Sequence, residues 1–258
     1  MIPLTKLLLL LVSVLACGGL VLIFKWKNER ILKLLLAYSG AFILALCLFH
    51  LLPDVYEGID NATTTGWLIL AGFLLQLLLD YISGGIEHGH IHADGHHHHG
   101  HSHEHKHDHS QSHEHPVMQR FPWMLMVGLC THAFIEGIPL LFNVSGGDLY
   151  TGIIFHNIPI SITLMTLFLI SGKSVGQSLL ALFIFACMTP LGALAAYYGF
   201  PNGGEAADAF GLKALAFVIG IFLHISTTIL FESDQNHRFN LIKLVTILLG
   251  VATVLLIP

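Results

Sequence analysis

LTKLLLLLVSVLACGGLVLIF, residues Leu4–Phe24, carries Lys6 as its one charged side chain. About 20 apolar residues in helical form cross the ~30 Å hydrocarbon core of a bilayer. In lipid, a single chain segment satisfies its own backbone N–H and C=O groups only as a helix. The start of the chain, through Val14-Leu15-Ala16-Cys17, also looks like a secretory signal with a loosely lipoprotein-like cleavage site. The apolar run nevertheless continues through Phe24 into basic Lys25 and Lys27, so it reads as a first membrane span.

Seven comparable runs follow: Ile31–Tyr56, Gly66–Ile86, Phe121–Phe142, Leu149–Ser171, Val175–Gly199, Leu212–Phe231 and Leu241–Ile257. The 258 residues are 54% hydrophobic and only 10% charged, where a soluble domain carries about a quarter charged residues. The expected fold class is therefore an all-α integral membrane protein with eight transmembrane helices, and no run remains for a separate soluble domain. Residues 1–86 hold spans one to three and residues 118–258 hold spans four to eight.

The distribution of charge sets the expected topology. With the amino terminus outside, Lys25, Lys27, Arg30, Lys33, Lys106, Arg120, Lys173, Arg238 and Lys243 fall on the inner side, leaving Lys6 and Lys213 outside. That is nine of the eleven Lys and Arg residues, a strong positive-inside bias. Both termini are then outside and the connection after span three is cytoplasmic. Cys17, Cys47, Cys130 and Cys187 each sit in a different apolar run, so none suggests an extracellular disulfide.

That connection, residues 87–117, contains EHGHIHADGHHHHGHSHEHKHDHSQSHEHP. Fourteen of the nineteen histidines lie in it, among them His96, His97, His98, His99, His101, His103, His105, His107 and His109. Its composition cannot supply an apolar core, so we expect it to be disordered without metal. It offers many interchangeable imidazoles and no fixed coordination geometry, which suits metal binding but not a defined permeation site.

Ionisable groups within spans are costly and commonly mark a path or a site. Span four carries His132 and Glu136, four residues apart and so on one helical face. Span five carries His156 and Asn157, followed by Pro159, which cannot donate to the carbonyl of Phe155 one turn back. Running in opposite directions, the two spans bring Glu136 and His156 to similar depth in the outer half. Imidazole nitrogen with carboxylate oxygen suits zinc and related divalent ions. Two unrelated sets of interhelical hydrogen bonds are the competing reading.

His50 and Asp54 near the outer end of span two, with Asp80, His224 and Glu232 nearer the inner side, are candidate path residues. Helix packing or a terminal hydrogen bond accounts for any one of them equally well. Gln76, Thr227 and Thr228 read as interhelical hydrogen-bond partners. Phe49-His50-Leu51 and Leu223-His224-Ile225 form a faint internal echo on oppositely directed spans.

These features together resemble the ZIP (Zrt/Irt-like) metal transporters. That family has a span-four motif of His with an acid one turn later, here His132-Ala133-Phe134-Ile135-Glu136-Gly137. Its span-five motif, His-Glu-x-Pro-His-Glu, looks like His156-Asn157-Ile158-Pro159-Ile160-Ser161, and its span-six Glu-Pro-Leu-Gly like Thr189-Pro190-Leu191-Gly192. His50-Leu51-Leu52-Pro53-Asp54 is similar to its span-two ending. The resemblance implies an inverted-repeat bundle that carries zinc or a similar divalent cation into the cytoplasm, with no organic cofactor and no enzymatic reaction. It also implies four primary ligand positions, of which Ile160 cannot coordinate, and second-site positions at Ala133, Asn157 and Thr189 that are poor in ligands. One three-ligand site is the expectation, with Asn157, a carbonyl or water completing it.

A cation exporter, a membrane-embedded metal hydrolase and a non-transporting metal sensor are the rival readings. An exporter is expected to show six spans and a folded cytosolic tail, and a hydrolase further paired His or Asp motifs. The expected partners are the metal cation and the lipid bilayer, with a homodimer compatible and no nucleic acid. The expected location is a plasma or bacterial inner membrane, crossed many times.

Overall fold

The computed structural model describes residues 4–24, 29–83, 123–142, 144, 147–200, 203–232 and 241–256. The histidine-rich connection, including His96 to His109, lies outside them. Among the described residues every regular element is helical.

Helix α1 spans Leu4–Phe24, α2 Glu29–Leu46, α3 Ala62–Ser83, α4 Trp123–Gly137, α5 Asp148–Ile170, α6 Val175–Gly199, α7 Glu205–Glu232 and α8 Leu241–Val254. The first seven, with short extensions to α2 and α4, are long and apolar enough to cross a membrane. At 14 residues, α8 is the shorter apolar eighth helix.

Where helix ends differ from the apolar runs, local chemistry explains the difference. Helix α3 begins before the apolar run because Asn61 Oδ1 accepts the N–H groups of Thr63 and Thr64 at 3.0 and 3.3 Å. Helix α7 starts at Glu205, ahead of Leu212, since Glu205 and Asp208 suit the positive end of the helix dipole. Ser174 and Gln177 close a capping box at the start of α6.

Helix α2 does not stop at Leu46. It passes through a π turn, Cys47–Leu51, into a last short helix, Leu52–Gly58. Pro53 has no N–H to offer, and the Leu52 N–H reaches back to Cys47 O across the wider turn. His50 sits within this turn.

Packing divides the helices into two sets of four. Helix α1 lies on α5 and α6, and α4 on α6; α2 lies on α7 and α8, and α3 on α7. The sets meet chiefly where α2 touches α5, where α3 touches α4 and where α7 touches the end of α4. Exchanging α1 with α6, α2 with α7, α3 with α8 and α4 with α5 carries the main packing pairs onto one another. Each of the first three exchanges shifts by five spans, an odd number, and so reverses direction in the bilayer. This is an inverted repeat.

Close backbone approach fixes its register. A methyl on Gly72 would overlap Phe217 O, and one on Gly250 would meet Tyr38 O at 2.6 Å. Tyr38 therefore corresponds to Phe217. The partner of His50 then falls about a turn beyond His224, so the echo between their two motifs is out of register with the fold.

Candidate metal centre

Helix α4 turns His132, Ala133, Glu136 and Gly137 inward together with Leu125, Met126 and Leu129. Gly137 is needed at the crossing with α6, because a methyl there would overlap Thr189 O. Gly192 on α6 meets Phe134 O in the same way. These contacts hold α6 against α4 one residue from Glu136. Helix α5 runs as one helix through Pro159 and buries His156 and Asn157 on its inner face.

His132, Glu136 and His156 converge. They are 1%, 0% and 1% exposed, and each offers a ligand atom within 4.8 Å of the other two. Glu136 Oε1 pairs closely with His132 Nε2 and lies 3.9 Å from His156 Nε2. The two imidazoles stand edge to face with centroids 5.8 Å apart. Phe222 of α7, fully buried, packs against both rings at 6.5 and 5.9 Å. Two imidazoles and one carboxylate match the donors zinc takes, with a coordination position left for water or a second oxygen. Among the described residues this is the one His/Cys/Asp/Glu group with such geometry.

Asn157 neighbours this trio on α5, and the other predicted residues are not part of it. Asn157 is 2% exposed, and its Oδ1 has no hydrogen-bond partner among the described residues. Ala133 belongs to an apolar cluster with Val14, Leu129 and Phe185. Ile160 packs against that cluster and borders a small cavity with Leu36, Leu125, Leu129 and Leu167, one turn inward of the histidines. Ile160 is thus surrounded by hydrocarbon.

His50 Nδ1 lies 3.0 Å from Asp148 Oδ2, at the start of the helix that carries His156. Asp54 is within electrostatic reach of both. His224 on α7 lies edge-on to Phe73 of α3 at 5.0 Å, and Asp80 lies in the last turn of α3. None of these joins the central group. The side chain of Glu232 is outside the described residues.

Sequence reasoning missed three residues. Asp148 lies one residue before the apolar run Leu149–Ser171, so a search for ionisable groups within the runs passes over it. Phe222 is one apolar residue among many, and nothing local marks it. Ser39 is 1% exposed and places Oγ 3.4 Å from His156 Nδ1.

A family model for the ZIP zinc transporters matches residues 2–258. The chain belongs to the ZIP zinc transporter family. No curated protein sequence matches it. Membership gives the buried group its setting: ZIP proteins move divalent metal across membranes, and this chain is a multi-pass membrane protein with a His/Glu cluster in the middle of its bundle.

Proposed function

We propose that this ZIP protein carries zinc or a chemically similar divalent cation into the cytoplasm through one site made by His132, Glu136 and His156. The convergence of these three side chains, fully buried between helices of a ZIP bundle, carries the reading. A dication in lipid must exchange its water shell for protein ligands, and these three side chains offer nitrogen and oxygen donors from two facing helices. Asn157 Oδ1 is the candidate oxygen to complete the shell. One carboxylate leaves the occupied site with a net positive charge, which favours release over tight retention.

His50, Asp54 and Asp148 form an outer vestibule in this reading, and Asp80, His224 and Glu232 flank the way out. The histidine-rich segment from His88 to His115 buffers metal on the cytoplasmic side. Both termini face outward in this reading, supported by the nine of eleven Lys and Arg residues that then fall on the cytoplasmic side. The membrane is a plasma or bacterial inner membrane.

Uptake of Zn2+ by the purified protein in liposomes tests the assignment. Saturable uptake lost on His156→Ala supports it; binding without uptake would make the protein a sensor, a reading that the apolar Ile160 favours. Cysteines placed at positions 100 and 204 in a cysteine-free background test topology. An impermeant reagent should label 204 and spare 100 in intact cells; the reverse overturns it.

A further inference from the structure

His156 meets the cluster through Nε2. A ring nitrogen ligates a cation only with a free lone pair, so the neutral ring must keep its proton on Nδ1. Nδ1 faces Ser39 Oγ at 3.4 Å, on a different helix, α2. Both residues are 1% exposed, so bulk water does not compete for the contact.

Ser39 differs from the other buried serines among the described residues. Ser83, Ser161, Ser178 and Ser226 donate to carbonyls of their own or the preceding turn. The Ser39 hydroxyl instead meets a side chain across a helix boundary. Its place is fixed from outside α5: a methyl on Gly40 would meet Ile229 Cγ2 at 3.0 Å, so α2 is seated closely on α7. Tyr38 stacks on Phe42 at 6.4 Å and shares a 2.9 Å hydrogen bond with Thr253 of α8. Phe42 in turn packs on Phe155, the neighbour of His156, at 5.0 Å.

We propose that Ser39 is a positioning residue for the metal site: its Oγ accepts the Nδ1 proton of His156 and aims the Nε2 lone pair at the cation. The inference rests on His156 being a metal ligand, as read above. Supporting partners of metal-bound histidines fix tautomer and ring orientation, and their loss costs about 10- to 100-fold in affinity or activity. The proton of the Ser39 hydroxyl stays free for a carbonyl of its own helix.

Zn2+ uptake by the full chain in liposomes tests this, with KM and Vmax read separately and folding checked by thermal unfolding. Ser39→Ala should raise KM about 10- to 100-fold, the cost of a lost supporting partner. Ser39→Thr, which keeps the hydroxyl, should restore KM to near the original value. If its extra methyl unseats the fold, Ser39→Cys, a weaker acceptor, should fall between Ala and the original protein. Ser226→Ala removes an equally buried hydroxyl bonded to its own helix and should leave KM unchanged. A KM within twofold of the original for folded Ser39→Ala overturns the inference, and so does an equal loss in Ser226→Ala. His156→Ala is the reference: if it too transports normally, the metal-site reading itself has failed and not merely the role of Ser39.

Discussion

His132 with Glu136, and His50 with Asp148, bring the same two functional groups together at different depths. The first pair is 2% and 0% exposed by side chain and gains a second imidazole from α5. The second pair is 20% and 24% exposed and bridges the π turn that extends α2 and the first residue of α5. Exposed ion pairs contribute about 0–1 kcal/mol, because water already solvates both partners. A buried carboxylate loses that solvation, at several kcal/mol per ion unless partners replace it. The deep group therefore needs a compensating role, and metal coordination supplies one, while the outer pair can be explained as steering or as a link between helix ends.

The largest test of this contrast removes a deep ligand. Glu136→Gln or His156→Ala should lower uptake in liposomes by more than the about 10- to 100-fold cost of losing a supporting partner. The double change His132→Ala with His156→Ala should add little to either single change, since ligands of one ion act as a unit. Independent, additive losses would show two separate structural residues in place of one site.

Next in size is the scaffold under the deep group. Gly137→Ala forces a methyl into Thr189 O beside Glu136, and Gly72→Ala forces one into Phe217 O away from the cluster. Overpacking of this kind costs about 1–3 kcal/mol. Both variants should unfold at lower temperature, but only Gly137→Ala should raise the uptake KM. A similar KM in the two would mean that the α4–α6 crossing does not set the ligand geometry.

A smaller effect sharpens the reading of Ile160. If its face of α5 turns toward the cluster, Ile160→His supplies a fourth ligand, and Zn2+ binding to the folded protein tightens about tenfold, or ~1.4 kcal/mol. Unchanged affinity with intact folding would place that face against the apolar cavity alone.

The smallest effect belongs to the outer pair. His50→Ala should raise KM less than tenfold at low salt, and the difference should vanish near 1 M salt, where the screening length falls to about 3 Å. A salt-independent loss as large as that of His156→Ala would erase the distinction between the two pairs.

Much of this was legible along the chain. Leu4–Phe24 and its seven successors gave the helices because a bilayer leaves the backbone one local solution, and apolar length reports it directly. The i,i+4 spacing of His132 and Glu136 put them on one face by helix geometry alone. Helix starts at Ala62 and Glu205 were missed because polar capping residues lie outside an apolar window. Ile160 could be recognised as unable to ligate, but not placed.

Sequence by itself thus determined what is local: eight apolar helices, the bias of positive charge to one side of alternating spans, and the candidate ligand residues on α4 and α5. The tertiary structure alone decided that His156 reaches Glu136, that Phe222 packs on both imidazoles, and that Ser39 of α2 meets His156 Nδ1. Those relations join residues 20 to more than 100 positions apart, and the rotation of each helix about its axis sets them. Uniformly apolar spans leave that rotation almost unmarked, since lipid and protein interior accept the same side chains. It is fixed instead where glycines let backbones touch, at Gly72, Gly137, Gly192 and Gly220, and there only the partner helix shows which face is turned inward.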